Sequence, residues 1–433
     1  MTTHIWKKML SSLLCGILSV SCMTATVFAI DGKSVSGAFG EHWDEVQESY
    51  ETSFGWDYNK HLEKDWTEYP VLHFDLGGAS YTDMDSLNDK LGRQLNDLES
   101  EYGVVRKYKT LPVRFETIIE AAYRKTGRQV VILVDEYDKP VIDNLDRPEL
   151  QDKMRETLLG FYGVMKSKDA FIRFGFLTGV TKIGKMSVFS DLNNPKDISM
   201  DARYTDICGV SETDLTDCFA ESVRELAEAN GLSEEECRQK LALMYDGYHF
   251  CHGSEDIYNP FSLIKCLDAR EFGSYWFETG TPTFLLERLR KNPMDETKLD
   301  KMTEIAQSDF DISPELTEDT LPMLYQTGYL TIKGYNKEDH SYTLGYPNRE
   351  VREGFLRGLL ANYKSSEGMS ASFVLKFNKA LKDNDVNGSL ELLQSFMAGI
   401  PYDLENKTEK HYQTIIYLVF SLLGYYTQAE VKS

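Results

Sequence analysis

Residues Val130 to Pro140 read VVILVDEYDKP. Val130 to Val134 form an unbroken run of branched aliphatic side chains, the pattern of a strand covered on both faces. The run ends in Asp135-Glu136, so the strand delivers two carboxylates at its C-terminal end. This is a Walker B arrangement, in which the Asp holds Mg²⁺ where the cation meets the β- and γ-phosphates and the Glu polarises the attacking water. Asp135 and Glu136 are therefore the candidate catalytic residues, and Asp135 the candidate metal ligand. A parallel strand that merely ends in solvated carboxylates has the same sequence, so its neighbours must decide.

Upstream, Val71 to Leu76 reads as another strand, followed by Met84, Leu87, Leu91, Leu95 and Leu98 at helical spacing. A second helix carries Phe115, Ile118, Ile119, Ala122 and Tyr123 and stops at Gly127. Downstream, Pro148 to Lys166 is helical, and Phe171 to Leu177 is a further buried strand ending at Thr178-Gly179. Such alternation predicts a parallel α/β sheet with Asp135 and Thr178 at neighbouring C-terminal ends. Thr178 sits where a polar residue senses the γ-phosphate. Asp135 and Glu136, adjacent on a strand, are expected to point to opposite sides, unlike a facing acid/base pair.

A phosphate cradle of the form GxxxxGK[ST] supplies backbone N–H groups and a lysine. Gly32-Lys33-Ser34 is the match to its last three positions, and the position of the first glycine holds Val27. These residues are the candidate nucleotide-binding group; a polar linker is the alternative reading. Just before them, Ile5-Trp6-Lys7-Lys8 and the uncharged stretch 9–30 (MLSSLLCGILSVSCMTATVFAI) end in Val27-Phe28-Ala29. That is a secretory signal pattern with cleavage after Ala29. It predicts export to the cell envelope or medium, with an uncleaved anchor as the alternative and no stable membrane span beyond this segment.

The 433 residues are 42% hydrophobic and 27% charged, which excludes wholesale disorder and a multi-span membrane protein. Lys+Arg 47 against Asp+Glu 69 leaves a net charge of −22. Nucleic acid is disfavoured as a partner, and any such contact would need a local basic patch. The cysteines, at 15, 22, 208, 218, 237, 251 and 266, form no CxxC and read as buried thiols, which points to the cytoplasm rather than to export.

Beyond Ser211, which with Asp214 forms a capping box, helices are expected through about 310. Leu321 to Tyr329 reads as a helix, Leu330 to Lys333 and Tyr342 to Gly345 as a hairpin around 334–340, and Asn348 as the cap of a helix bearing Val351, Phe355, Leu359 and Leu360. Helix, hairpin and helix resemble a winged-helix unit. Arg349, Arg352 and Arg357 are interleaved with Glu350 and Glu353, which reads as a solvated face rather than a nucleic-acid contact. Three helical patterns follow in the tail.

Several strings together, ILVDEYDKPVIDNL (132–145), FLTGVTKIGKMSVFSDLNNPKDISMD (176–201), YDGYHF (245–250), YWFETGTPTFLL (275–286) and LYQTGYLTIK (324–333), resemble bacterial AAA-ATPase-like proteins with a C-terminal PD-(D/E)XK nuclease-like domain. The resemblance spans roughly residues 60–425. It implies an α/β P-loop-NTPase-like (ASCE) core, a helical lid, a winged helix and a nuclease-like tail. It also implies ATPase activity on Mg-ATP, with Asp135 and Glu136 as the Walker B pair and Thr178 at the sensor position. The expected organisation is a signal-like segment 1–29, a linker 30–69 in place of the phosphate-loop region, the core 70–210, the lid 211–319, the winged helix 320–365 and a shortened nuclease-like domain 366–433.

Departures from the family pattern shape the functional expectation. The family opens with a strand and an Arg-rich loop ending in Phe-Gly-Lys-Ser, of which Gly32-Lys33-Ser34 keeps the bare tripeptide. The first nuclease helix, with Glu409, is present and the next strand starts at Tyr425, but the Gly-Arg-x-Asp and Glu-x-Lys elements would lie past Ser433. A nuclease of this kind needs those carboxylates for Mg²⁺, so no nuclease activity is expected. The expectation is a degenerate ATPase-like protein with vestigial Asp135, Glu136 and Thr178. The alternatives are a residual ATP-binding or ATP-hydrolysing protein and a winged-helix module for an unknown protein partner.

Overall fold

The computed structural model describes residues 28–30, 68–181, 196–276, 285, 289, 303–312, 317, 319–362, 367–398 and 409–423. Its first sheet contains β1 (Phe28–Ile30), β2 (Val71–Asp75), β3 (Val130–Asp135), β4 (Ile172–Leu177) and β5 (Lys196–Asp197), in the order β2-β3-β4-β1-β5. β2, β3 and β4 are parallel, as the alternation predicted. Asp75 lies opposite Asp135, and Val134 opposite Leu177.

The place beside β4 is taken by Phe28–Ile30, running antiparallel with Phe28 opposite Leu177 and Ile30 opposite Gly175. The other side of β1 pairs with β5. A short apolar stretch satisfies a strand edge as well as it suits a signal segment, and the expected cleavage point after Ala29 falls inside this strand.

Three helices pack on the sheet: α1 (Met84–Glu101), α2 (Leu111–Thr126) and α3 (Pro148–Tyr162). α1 opens on a capping box, with the Asp83 carboxylate accepting from the Ser86 N–H at 2.8 Å. α2 ends where Gly127 adopts φ 69°, a left-handed cap that glycine takes without a Cβ penalty. Leu87, Leu91 and Leu95 of α1, Phe115 of α2 and Phe161 of α3 are fully buried. Each contributes roughly 1.5–3 kcal/mol by leaving water. Phe74 meets Phe115 and Phe161 edge to face at 4.9 and 5.1 Å. The helix expected through Lys166 stops at Tyr162. Gly163, a weak helix former, separates it from a single turn at Val164–Ser167 and a 3₁₀ turn at Asp169–Phe171.

The next unit holds α4 (Glu212–Cys218), α5 (Ala220–Asn230), α6 (Glu234–Tyr245) and α7 (Pro260–Ala269). The box at Ser211 is complete, with reciprocal bonds between Ser211 and Asp214 at 3.1 and 2.9 Å. A strand, β6 (Thr303–Ala306), lies in the stretch expected to be helical. It joins β7 (Thr331–Asn336) and β8 (Ser341–Gly345) in a sheet ordered β6-β8-β7. Ile305 is buried while Glu304 and Ala306 on either side of it are exposed, a period of two that four residues are too few to announce. Gly334 sits at a register shift within β7 rather than in the turn, which is Lys337–His340.

The hairpin is flanked by α8 (Leu321–Gln326) and α9 (Arg349–Asn362), the helix–hairpin–helix order anticipated; the Asn348 side chain accepts from the Val351 N–H at 3.0 Å. The tail helices are α10 (Glu367–Lys382), α11 (Val386–Ala398) and α12 (Glu409–Leu422). Tyr425 and the residues after it lie outside the described residues. On α9, the exposed Arg349 and Arg357 pair with Glu353 and Arg352 reaches the Ser421 carbonyl. Glu350 is buried rather than solvated and accepts the Tyr275 and Trp276 N–H groups at 2.5 and 3.0 Å.

α6 and β7 are joined closely. Lys333 donates to the Gly247 and Pro347 carbonyls at 3.0 and 3.1 Å, and the Thr331 hydroxyl exchanges bonds with the His249 backbone. Gly247, at φ 95°, leaves room for the Pro347 carbonyl, which an added Cβ would meet at 2.3 Å. Cys237, Cys251 and Cys266 are buried free thiols. Among the described residues no helix is long and apolar enough to cross a membrane.

Candidate functional site at the carboxyl edge of the sheet

Parallel pairing places the C-terminal ends of β2, β3 and β4 on one edge. Asp135 and Thr178 meet there as predicted, the Thr178 hydroxyl donating to Asp135 Oδ1 at 2.5 Å. The Glu136 N–H donates to the same oxygen at 3.1 Å. Burial pushes the Asp135 carboxyl up; the Thr178 hydroxyl opposes this and the Asp75 charge adds to it.

Glu136 does not continue the strand. Its φ is 50°, a left-handed conformation that costs a non-glycine residue roughly 1–2 kcal/mol. The backbone around it holds this geometry. The Tyr137 N–H donates to the Thr178 carbonyl at 2.9 Å, and the Lys139 N–H to the Glu136 carbonyl at 3.1 Å. The opposite-sides expectation for Asp135 and Glu136 therefore gives way to a sharp turn at Glu136. No described donor bonds its carboxylate, because the Lys139 amine is bonded to Asp143 at 3.3 Å. Burial raises the Glu136 carboxyl to about 7; Lys139 pulls it down, while Asp135, Asp138 and Asp75 push it up.

The sequence reading passed over Asp138, Gly179, Gly77 and Asp75. Asp138 is fully buried and accepts three bonds, from the Val180 N–H at 3.1 Å, the Thr181 N–H at 2.5 Å and the Thr181 hydroxyl at 2.9 Å. Burial still lifts its carboxyl to about 6 against those bonds. The Tyr137 hydroxyl donates to the Thr181 carbonyl at 2.9 Å. Segments 136–138 and 178–181 are thus interlocked, and Gly179 permits it: a Cβ there would lie 2.4 Å from the Tyr137 ring and 2.5 Å from Asp138. Gly77 similarly abuts Glu136, whose carboxyl carbon an added Cβ would meet at 3.1 Å. Asp75, on edge strand β2, accepts from the Gly77 N–H at 2.6 Å, while Gln94 of α1 pairs with the Asp75 backbone at 3.0 and 2.7 Å. The repeated D-x-x-D spacing in VDEYDKP was the one signal that could have pointed to Asp138.

The edge therefore offers a strained, uncommitted Glu beside an Asp–Thr pair, an arrangement chemically suited to accepting a proton. Among the described residues, no group of three or more His, Cys, Asp or Glu is arranged to hold a metal ion unaided. Gly32, Lys33 and Ser34 lie outside the described residues.

A three-stranded parallel sheet with helices packed on it and acids at its carboxyl edge defines an α/β core of the P-loop type. The chain belongs to the predicted AAA-ATPase family, whose profile matches residues 32–189, opening at the glycine of Gly32-Lys33-Ser34. It is 36% identical over 370 residues to an uncharacterized protein in the vnfD 5′ region of Azotobacter chroococcum mcd 1, covering 83% of this chain and 69% of that one. No solved structure matches it.

Proposed function

We propose that the chain is an AAA-ATPase-like protein that keeps the acid half of the nucleotide site without a phosphate cradle to work against, and that it hydrolyses ATP at or below background. The observation that carries this reading is the direction of β1. Antiparallel to β4, it leaves the sheet at Ile30 toward the edge opposite Asp135. A cradle reached from a strand in that place would need the strand to run parallel and to end at the acid edge.

In this reading Asp135 and Glu136 are the Walker B pair and Thr178 the sensor. Magnesium takes oxygen ligands, so the Asp135 carboxylate suits it in kind, and when bound it would neutralise phosphate charge. The chain's own residues would do the rest: Thr178 fixes the Asp135 rotamer, and Glu136, with its carboxyl near 7, accepts a proton from water. Without a cradle, Asp75, Asp135 and Glu136 repel an anionic nucleotide. We extend the proposal to the tail, which has no nuclease role in this reading, and to the helix–hairpin–helix unit, which meets a protein rather than nucleic acid.

A second reading, residual ATP hydrolysis, is favoured by the uncommitted Glu136 carboxylate and by a family match that opens on Gly32-Lys33-Ser34. Turnover of Mg-ATP by wild type and Glu136→Gln separates the two. We expect neither to exceed background. ATP hydrolysis by wild type that Glu136→Gln abolishes would refute the first reading and establish the second.

A further inference from the structure

α1, α2, α3 and the loop before α2 line an open cleft of about 920 Å³ that shares no residue with the carboxyl edge of the sheet. Its volume falls in the range of small-molecule sites, about 300–1,000 Å³. Gly92 and Gly160 are part of its wall.

The lining is cationic in a chain of net charge −22. Arg93 projects from α1, and Arg106 and Lys109 from the loop before α2. Among the described residues, none of the three has an ion pair; Arg106 makes one long bond, 3.4 Å, to Asn96. Arg124, Arg155 and Lys168 nearby are paired, on Glu120, on Asp152 and on Glu116 and Glu120, while Lys107 and Lys153, outside the lining, have no ion pair among the described residues. Asp89 and Glu156, both exposed, are the acidic residues of the lining.

Behind them lies Arg114, only 2% exposed. Its Nε and Nη2 are bonded to Glu99 at 2.7 and 2.9 Å, and Nη2 also to Asn96 at 2.7 Å. Its Nη1 amino group has no partner among the described residues. A guanidinium held by a carboxylate and left with unspent N–H donors in a cleft wall is preorganised to meet an anion. The N-terminus of the sixteen-residue α2 opens into the same cleft at Leu111, with no acidic residue in its first turn and no side-chain cap.

We propose that this cleft binds the phosphate group of a small organic phosphate, seated on Arg93, Arg106 and Lys109 in front of the Arg114 amino group. Phosphate fits because three equivalent oxygens can take donors from several directions, which a single carboxylate cannot. A concavity of this volume has the size of a small-molecule site.

The test uses the full chain in EDTA, which removes divalent cations from the Asp135 edge. The probes are inorganic phosphate, adenosine 5′-monophosphate and a single-stranded twelve-residue oligothymidylate. Calorimetry gives the affinity, and hydrogen exchange of residues 102–116 gives the location. Phosphate and the monophosphate should both protect this segment. The double variant Arg93→Glu, Arg106→Glu should weaken both by tenfold or more with an unchanged urea midpoint, and Arg93→Lys, Arg106→Lys should retain most of the affinity. Absence of protection by both small probes overturns the proposal, as does wild-type affinity in the double Glu variant. Binding confined to the oligonucleotide, steeply weakened by salt, overturns it in favour of a nucleic-acid surface.

Discussion

Replacing Asp138 by Asn tests whether the buried carboxylate beneath the carboxyl edge of the sheet holds its charge at a cost. Its carboxyl stands at about 6, against an ordinary value near 4. Those two decades of proton affinity correspond to about 3 kcal/mol, at roughly 1.4 kcal/mol for each. The raised value fixes the sign. Between pH 4 and 6 the folded chain holds a proton that the unfolded chain has released, so the contribution is full below pH 4, falls as pH rises and is gone above about 6. Asn does not titrate. It also has one oxygen for an arrangement in which two oxygens accept three bonds, so a buried N–H at Val180 or Thr181 loses its partner, a loss of about 1–3 kcal/mol. The variant should therefore lie about 1–3 kcal/mol below wild type at pH 7.5, from the lost bond alone, and about 2 kcal/mol further below it at pH 4.5, where most of the titration contribution is present. Urea unfolding followed by far-UV circular dichroism at the two pH values measures both, and the difference between proteins cancels the other titrating groups. Parallel pH profiles for wild type and Asp138→Asn would show that Asp138 is not the charged, buried group described, and the argument would fail.

The remaining predictions rest on single contacts. Gly179→Ala drives a Cβ into the Tyr137 ring and Asp138 and should lower stability by roughly 1–3 kcal/mol; an unchanged urea midpoint would contradict the interlock. Arg114→Ala leaves Glu99 buried without its partner and should cost about 3–5 kcal/mol, with much of that recovered when Glu99→Leu is added; simple additivity of the two changes would argue against a paired buried charge. Gly247→Ala combines a left-handed backbone with a clash against the Pro347 carbonyl, and a loss of about 2–4 kcal/mol should appear in thermal unfolding.

The sheet was legible because its signals are local. Val130 to Val134 admits few readings, and helical spacing between strands forces parallel pairing, which alone brings Thr178 beside Asp135. Glu136 was nameable as a residue but not as a conformation, because hydrophobic periodicity says nothing about φ. Asp138 and Gly179 escaped notice because their meaning is a contact between segments about forty residues apart. β6 was hidden by brevity: of Glu304, Ile305 and Ala306, Ile305 alone is buried to declare a period. β1 was hidden by ambiguity, since Phe28-Ala29-Ile30 suits a signal segment and a strand edge equally.

The joint at Lys333 bears on how the C-terminal half can be handled. Its bond to Gly247, the exchange between Thr331 and His249, and the seat of Glu350 under Tyr275 and Trp276 all cross residues 319–320, while its bond to Pro347 stays on the C-terminal side. A fragment cut there to obtain the helix–hairpin–helix unit would carry an ammonium stripped of a carbonyl and a glutamate stripped of both its backbone donors. Burial lowers the affinity of the Lys333 amine for its proton in the full chain, and in the fragment water would reclaim it. In the full chain that one amine, shared between the Pro347 and Gly247 carbonyls, ties the approach to α9 to the end of α6.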